Sequence, residues 1–324
     1  MRVSDNTARA SVEEALRKTR SRMEGLQIKN ATQKRLTVPS DDPAANTKIL
    51  DIRTQTTMHS QYSSNGDIAK NRLIMTDAAL GELYDIFVRA KEIALGQSSD
   101  ASANADSRLG VAQEISALYQ QLVSVANRRV GQQYLFSGYK TLTNPYSALG
   151  EYKGDSGEIP VEIQKDVFIA MNLPGPHVFE AKLLHPDDKA RVIAAQERGQ
   201  DLSTQQAPLK PTGALNLFQE LDALRTGLLT NDTITVRDSL ENLDAIINHV
   251  IILRSKVSSR VSGIDTAIGQ TGKLDLANAE LMSQLEDADY AELWSNLAKE
   301  ETVLRSSLSA AQKLIQPTLL EFLR

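Results

Sequence analysis

Two places in the chain set carboxylates close together. In "RLTVPSDDPAAN", residues 35 to 46, Asp41 and Asp42 stand between Pro39 and Pro43; in "SQLEDADYAELW", residues 283 to 294, Asp287 and Asp289 lie two apart. Paired carboxylates can cleave glycosidic bonds or hold Ca²⁺. A Ca²⁺ loop needs oxygen ligands at spaced positions, and the residues after Asp42 supply no such ladder. The next stretch, "AANTKILDIRTQ", is helix-compatible instead. Asp is a strong N-cap because its carboxylate accepts the free amide hydrogens of the first turn, and proline at the next position is preset for helix. The segment therefore reads as a loop that starts a helix. Asp287 and Asp289, two apart on a helix, would point to different faces and read as a solvated surface.

Other chemistry is harder still to assemble. The four histidines, His59, His177, His185 and His249, are scattered without metal-ligand spacing. The chain has no cysteine, which removes disulfides, thiolate metal sites and Cys nucleophiles. No phosphate-binding glycine loop is present. We expect no catalytic residue, no cofactor and no metal. The net charge of −5 gives no support for nucleic-acid binding. The basic N-terminal segment has no aromatic before Tyr62 that could stack on a base. No apolar run approaches the ~18 residues of a membrane span. A Sec-type signal is not read in "MRVSDNTARASVEEALRK", so the expectation is a soluble protein or one exported without a cleaved leader.

The elements that could position a site are mostly helical. In 324 residues, aromatics are only 5% while hydrophobics are 41%, the balance of a helical bundle rather than a large enzyme core. Alternating steps of four and three from Val236 give Leu240, Leu243, Ile247, Val250, Arg254, Val257, Val261, Ile264 and Ile268, apolar except for Arg254. Val111, Ile115, Leu118, Leu122 and Val125 repeat the spacing. So do Tyr290, Trp294, Leu297, Leu304, Leu308, Ala311 and Ile315, where the skipped slot is Glu301. Such a seam asks for a partner helix along its length. "GQSSDASANAD", residues 96 to 106, and "TNDT", residues 230 to 233, read as turns between helices.

Seven of the ten prolines fall between residues 139 and 211. Within that stretch "GEIPVEIQKDVFIAMNLPGPHVFE" alternates Val161, Ile163, Val167 and Ile169, a small β-rich module with its turn near "QKD". Residues 178 to 213 read as a short helix plus linker or as an elaboration of that module. The expected fold is mainly α: a long helical coiled-coil bundle formed by an N-terminal arm, 1–138, and a C-terminal arm, 206–324, around a small β-rich inserted domain, 139–205.

The chain ends are oppositely charged. Residues 1 to 35 carry nine Lys or Arg against four acids, and residues 280 to 301 carry seven acids against one Lys. That balance favours pairing of the two ends with each other or with a neighbouring subunit. Val12, Leu16, Met23 and Leu26 then face the stripe Tyr290, Trp294, Leu297, Leu304, Leu308, Ala311 and Ile315 as the candidate assembly interface. From spacing alone, that interface serves a partner or the chain's own packing equally well.

Several segments resemble the flagellin superfamily, in its hook–filament junction branch, when read in order. They are "MRVSD", "KRLTVPSDDPAA", "MTDAALGELYDIFVRAKEIALGQSSD", "NRRVGQQYLFSGYKTLTNPY" and "LEDADYAELWSNLAKEETVLRSSLSAAQKLIQPTLLEFLR". The resemblance implies a structural protein of the bacterial flagellum whose terminal segments form a coiled-coil domain and whose middle faces outward. It also implies export through the flagellar type III apparatus without a cleaved signal, and a FlgN-type chaperone. Its neighbours would be the first hook-associated protein (FlgK type) and flagellin, with self-association in a ring layer. Flagellin itself is the near alternative. A cytoplasmic helical enzyme would need a convergent polar cluster that the sequence does not offer, and a secreted translocon component would need a membrane-inserting apolar segment.

Reversing the charge of Arg17, Lys18 and Arg20 is expected to weaken association between subunits at low salt and to matter less as salt rises. Sedimentation at two ionic strengths checks this, and unchanged low-salt assembly sinks the charge-pairing idea.

Overall fold

The computed structural model describes residues 2–98, 105–184 and 211–315. The described helices are α1 (Arg2–Thr32), α2 (Pro43–Gln97), α3 (Ala105–Ala126), α4 (Gly175–Phe179), α5 (Leu217–Leu229), α6 (Thr233–Glu286) and α7 (Tyr290–Ile315). Strands β1 (Arg129–Val130), β2 (Gln133–Tyr134), β3 (Pro160–Gln164), β4 (Val167–Ala170), β5 (Glu180–Leu184) and β6 (Pro211–Asn216) form three two-stranded antiparallel sheets. The fold is mainly α, as expected. Two compact units emerge, residues 1–60 with 272–324 and residues 61–271, and α2 and α6 contribute to both.

In the unit 61–271 the heptad stripe of α6 is the core. Val236, Leu243, Val250, Val257 and Ile264 are fully buried; Leu240, Ile247, Val261 and Ile268 are partly so. The stripe's one polar member, Arg254, makes a two-pronged pair with Asp77 of α2 at 3.0 and 3.2 Å. Lys70 with Asp265 (2.6 Å) and Lys91 with Asp244 (2.5 Å) are further rungs, and the opposing order of their numbers makes α2 and α6 antiparallel. At Gly66 a side-chain Cβ would come within 3.1 Å of Ile268, so glycine lets α6 pack close to α2 there. Ile115, Leu122 and Val125 of α3 are buried as their spacing predicts, and α3 packs against α5.

The turn at "TNDT" is where expected. Asp232 opens α6 by accepting the Ile234 amide (3.0 Å) and the Thr235 hydroxyl (2.6 Å), and Asn231 takes a left-handed φ of 57°. At "GQSSDASANAD", α2 ends at Gln97 and α3 begins at Ala105; residues 99–104 lie outside the described residues.

The module between the arms is small and loop-rich. Its β3–β4 hairpin turns at Lys165–Asp166, within the "QKD" segment, and buries Ile163. Arg260 of α6 holds it by donating to the Ala170 (3.2 Å) and Asn172 (3.1 Å) carbonyls and to Glu158 (3.2 Å). A cluster of aromatics lies in this unit: Phe136 meets Phe179 edge-on at 5.4 Å, and Tyr146 lies 5.0 Å from Phe218. Residues 178–184 continue from α4 into β5, which pairs with β6 so that Ala181 faces Leu215. Residues 185–210, most of the segment that the sequence left open, lie outside the described residues.

Asp155 ties the "LFSG" loop together. It accepts the amides of Tyr139 (2.7 Å), Gly157 (2.9 Å) and Lys140 (3.1 Å), and these donors, Tyr139 foremost, hold its carboxyl below the usual range. Gly138 sits at φ 71°, and a Cβ there would lie 2.1 Å from Asp155 Oδ1. Gly138→Ala is therefore expected to destabilise this unit by about 2–4 kcal/mol, from left-handed strain plus overpacking. A lowered urea midpoint at unchanged slope checks this.

Candidate assembly surface

The unit 1–60 with 272–324 contains both acidic pairs. Asp42 Oδ1 accepts the Ala45 amide at 3.0 Å with Pro43 as the first helical residue, so Asp42 is the cap of α2. Asp41 accepts the Thr37 amide (3.1 Å) and hydroxyl (3.3 Å) and lies 3.3 Å from the Lys29 ammonium. These donors, the Thr37 amide first, hold its carboxyl below the usual range. Both carboxylates are occupied by their own backbone.

The other pair departs from expectation, because Asp287 and Asp289 are not on a helix. Residues 287–289 separate α6 from α7. Asp289 caps α7 through the Ala291 (2.8 Å) and Glu292 (3.3 Å) amides, and Asp287 accepts the Ser283 hydroxyl at 2.5 Å. Capping carboxylates stabilise a helix start, and that preference overrides continuation of the helix here.

The described histidines form no ligand cluster. His59 Nδ1 lies 2.6 Å from Asp275, His249 Nε2 lies 3.1 Å from the His177 carbonyl, and burial lowers the pKa of His249. His185 is outside the described residues. Among the described residues no group of three His, Cys, Asp or Glu could hold a metal, and no helix is long and apolar enough to cross a membrane.

The break at 287–289 turns α7 back along α1. The Arg35 amide donates to the Glu286 carbonyl (2.7 Å) and the Ala288 amide to the Gln33 carbonyl (3.1 Å), bridging Lys34 and Asp287 antiparallel. Farther along, Arg22 lies 3.5 Å from Glu300, so the basic and acidic ends meet within one chain. On α1 the four candidate residues Val12, Leu16, Met23 and Leu26 are all half-buried on one face. On α7 the covered line runs through Leu293, Leu297, Glu300, Leu304, Ser307 and Ala311.

This line shares Leu297, Leu304 and Ala311 with the sequence-derived stripe and leaves its other edge bare. Tyr290 is 47% exposed, Trp294 58% and Leu308 38%. The side chain of Ile315 is outside the described residues. At 100° per residue Tyr290, Trp294 and Leu308 fall on one side of the seam. The apolar arc of α7 is thus wider than α1 covers. Glu301, the polar slot in the stripe, pairs with Arg305 at 2.7 Å.

Residues 3–141 match the bacterial flagellin N-terminal helical region. The chain is 25% identical over 295 residues to flagellar hook-associated protein 3 of Escherichia coli K12, covering 86% of each. It is 21% identical over 309 residues to a flagellin of Listeria innocua, covering 95% of this chain and 94% of that one. The fold is shared with the flagellar junction protein FlgL of Legionella pneumophila, at TM-score 0.56 and 16% identity over 74% of this chain and all of that one. The resemblance read from the sequence, to hook-associated protein 3 within the flagellin superfamily, therefore holds. These families are structural rather than enzymatic and support a structural component of the bacterial flagellum.

Glu286 escapes a reading of the sequence. It counts there only as one acid among seven, yet it is buried between Lys34 (2.6 Å) and Arg53 (2.8 Å). Those partners lie 252 and 233 residues away, so no local pattern announces them.

The two edges of α7 are expected to respond differently to truncation in the free chain. Leu297→Ala should speed hydrogen exchange in α1 and α7 by roughly tenfold, the consequence of losing half-buried packing. Trp294→Ala should change it by less than about twofold, as for an exposed surface residue. Equal responses would mean that Trp294 is already covered.

Proposed function

We propose that this chain is the adaptor at the hook–filament junction of the bacterial flagellum, assembling through its terminal helices. The observation that carries the reading is the uncovered apolar edge Tyr290–Trp294–Leu308 on a helix whose other edge is already paired. An apolar strip of this kind favours a further helix as its cover. The likeness to hook-associated protein 3 and to a junction protein supports the location. In this reading α1 and α7, with Val12, Leu16, Met23 and Leu26 opposite Leu297, Leu304, Ala311 and Ile315, form the interface core. Tyr290, Trp294 and Leu308 meet neighbours. The arms 1–138 and 206–324 carry assembly, and the insert 139–205 faces outward.

The proposed neighbours are a first hook-associated protein of the FlgK type on one side and flagellin on the other, with copies of this chain forming a ring layer between them. A FlgN-type chaperone and the type III export apparatus would deliver it to the extracellular flagellum. A filament subunit is the second reading, favoured by the nearly full-length match to a flagellin.

Electron microscopy after salting-out separates the two, because salting-out strengthens apolar burial between subunits. We expect no filaments from this chain alone, and binding to flagellin or to the first hook-associated protein. Long filaments of this chain alone would make it a flagellin; absence of any binding would remove the junction role.

Leu308→Asp is the sharper variant because its side chain is exposed. It should leave the circular dichroism of the free chain unchanged and abolish swimming. Leu304→Asp also damages the α1–α7 seam and should lose helicity as well. Normal swimming by both variants would overturn the interface.

A further inference from the structure

Within the unit 1–60 with 272–324, several polar contacts between the α1–α7 hairpin and the α2–α6 stem gather at one residue, besides Lys29 with Asp41 (3.3 Å) and Arg35 with Asp42 (4.0 Å) at the start of α2. Glu286 is the last residue of α6 and only 7% exposed. Its carboxylate accepts from Lys34, two residues beyond α1, at 2.6 Å and from Arg53, on α2, at 2.8 Å. Its carbonyl accepts the Arg35 amide at 2.7 Å, and the Arg35 guanidinium reaches the neighbouring Leu285 carbonyl at 2.9 Å. Three chain segments therefore meet at Glu286: the end of α6 that carries it, the loop after α1 through Lys34 and Arg35, and α2 through Arg53.

We propose that Glu286 is a latch that fixes the α1–α7 hairpin to the α2–α6 stem, and that neutralising it releases the hairpin as one piece. The contacts on either side explain why release is local. The hairpin keeps its own seam and its Arg22–Glu300 pair. The stem keeps the Asp42 cap, the His59–Asp275 contact and the buried Ala45, Ile49 and Ile52. Lys34 and Arg53 are about half exposed and regain water when the carboxylate charge is lost, so neither is left stranded. Neutralisation removes two charge-assisted hydrogen bonds where the loop after α1, α2 and the end of α6 come together.

The test compares hydrogen exchange in the full chain and in Glu286→Gln, which keeps the side chain's shape but not its charge. Exchange in residues 19–32 and 290–312 is expected to rise roughly tenfold, while residues 43–58 and 272–283 stay within about twofold. Arg53→Gln, which removes one arm only, should give the same pattern with smaller amplitude. Unchanged exchange in the hairpin overturns the proposal. So does equal acceleration of hairpin and stem, since Glu286 would then be an ordinary core contact. If Glu286→Gln does not fold by circular dichroism, the same two patterns in Arg53→Gln decide.

Discussion

An apolar stripe on a long helix has to be covered along its length, and in this chain the cover comes from far away in sequence. Lys91 and Asp244, which pair across α2 and α6, are 153 residues apart; Lys70 and Asp265 are 195 apart. The core of the unit 61–271 depends on that antiparallel match. Within the unit 1–60 with 272–324 the same antiparallel order holds, His59 beside Asp275 and Arg53 beside Glu286, and the breaks before α2 and after α6 let α1 and α7 pair there. Native pairing of this kind waits for both arms of the chain, since loop closure precedes the contacts that reward it.

Charge sets the register that hydrophobicity leaves loose. A seam of Val, Ile and Leu tolerates sliding by one heptad, because the same residue types recur. Arg254 with Asp77 and Arg128 with Glu82 are two-pronged pairs that fit only one alignment. Each is partly exposed and adds little to stability. Their contribution is to specify which turn of α2 faces which turn of α6, and which turn of α2 faces the chain after α3. At Arg254 the heptad pattern sacrifices an apolar position, and that position carries the pair.

How much is legible in the sequence depends on range. The heptad stripes of α6, α3 and α7, the hairpin around "QKD" and the caps at Asp42 and Asp232 are local signals, written in residues within a few positions of one another. The continuity of α2 across 55 residues is less visible, because polar Gln, Ser and Asn interrupt its stripe. The break at 287–289 is hidden because "EDADYAEL" is compatible with helix until one knows that Asp289 caps the next one. Which edge of α7 is covered cannot be read at all. Periodicity locates an apolar arc, but its partner α1 decides which half goes dry, and Leu293 rather than Trp294 lies at the covered end. Glu286 is the extreme case, a buried acid whose meaning rests entirely on Lys34 and Arg53.

The bare edge of α7 has a definite energetic scale. A Trp presents roughly 150–250 Å² for burial, so covering the 58% of Trp294 now exposed would contribute about 2–4 kcal/mol at ~25 cal/mol per Å². Tyr290 and Leu308 bring the edge to about 5–8 kcal/mol by the same arithmetic. Fixing two subunits relative to each other costs about 4–15 kcal/mol. One such contact therefore leaves a pair of free chains weakly associated at best. A subunit held by neighbours on several sides gains the same burial repeatedly while its freedom is lost only once. An apolar strip of this size is too small to hold two free chains together by itself and counts only where several are buried at once.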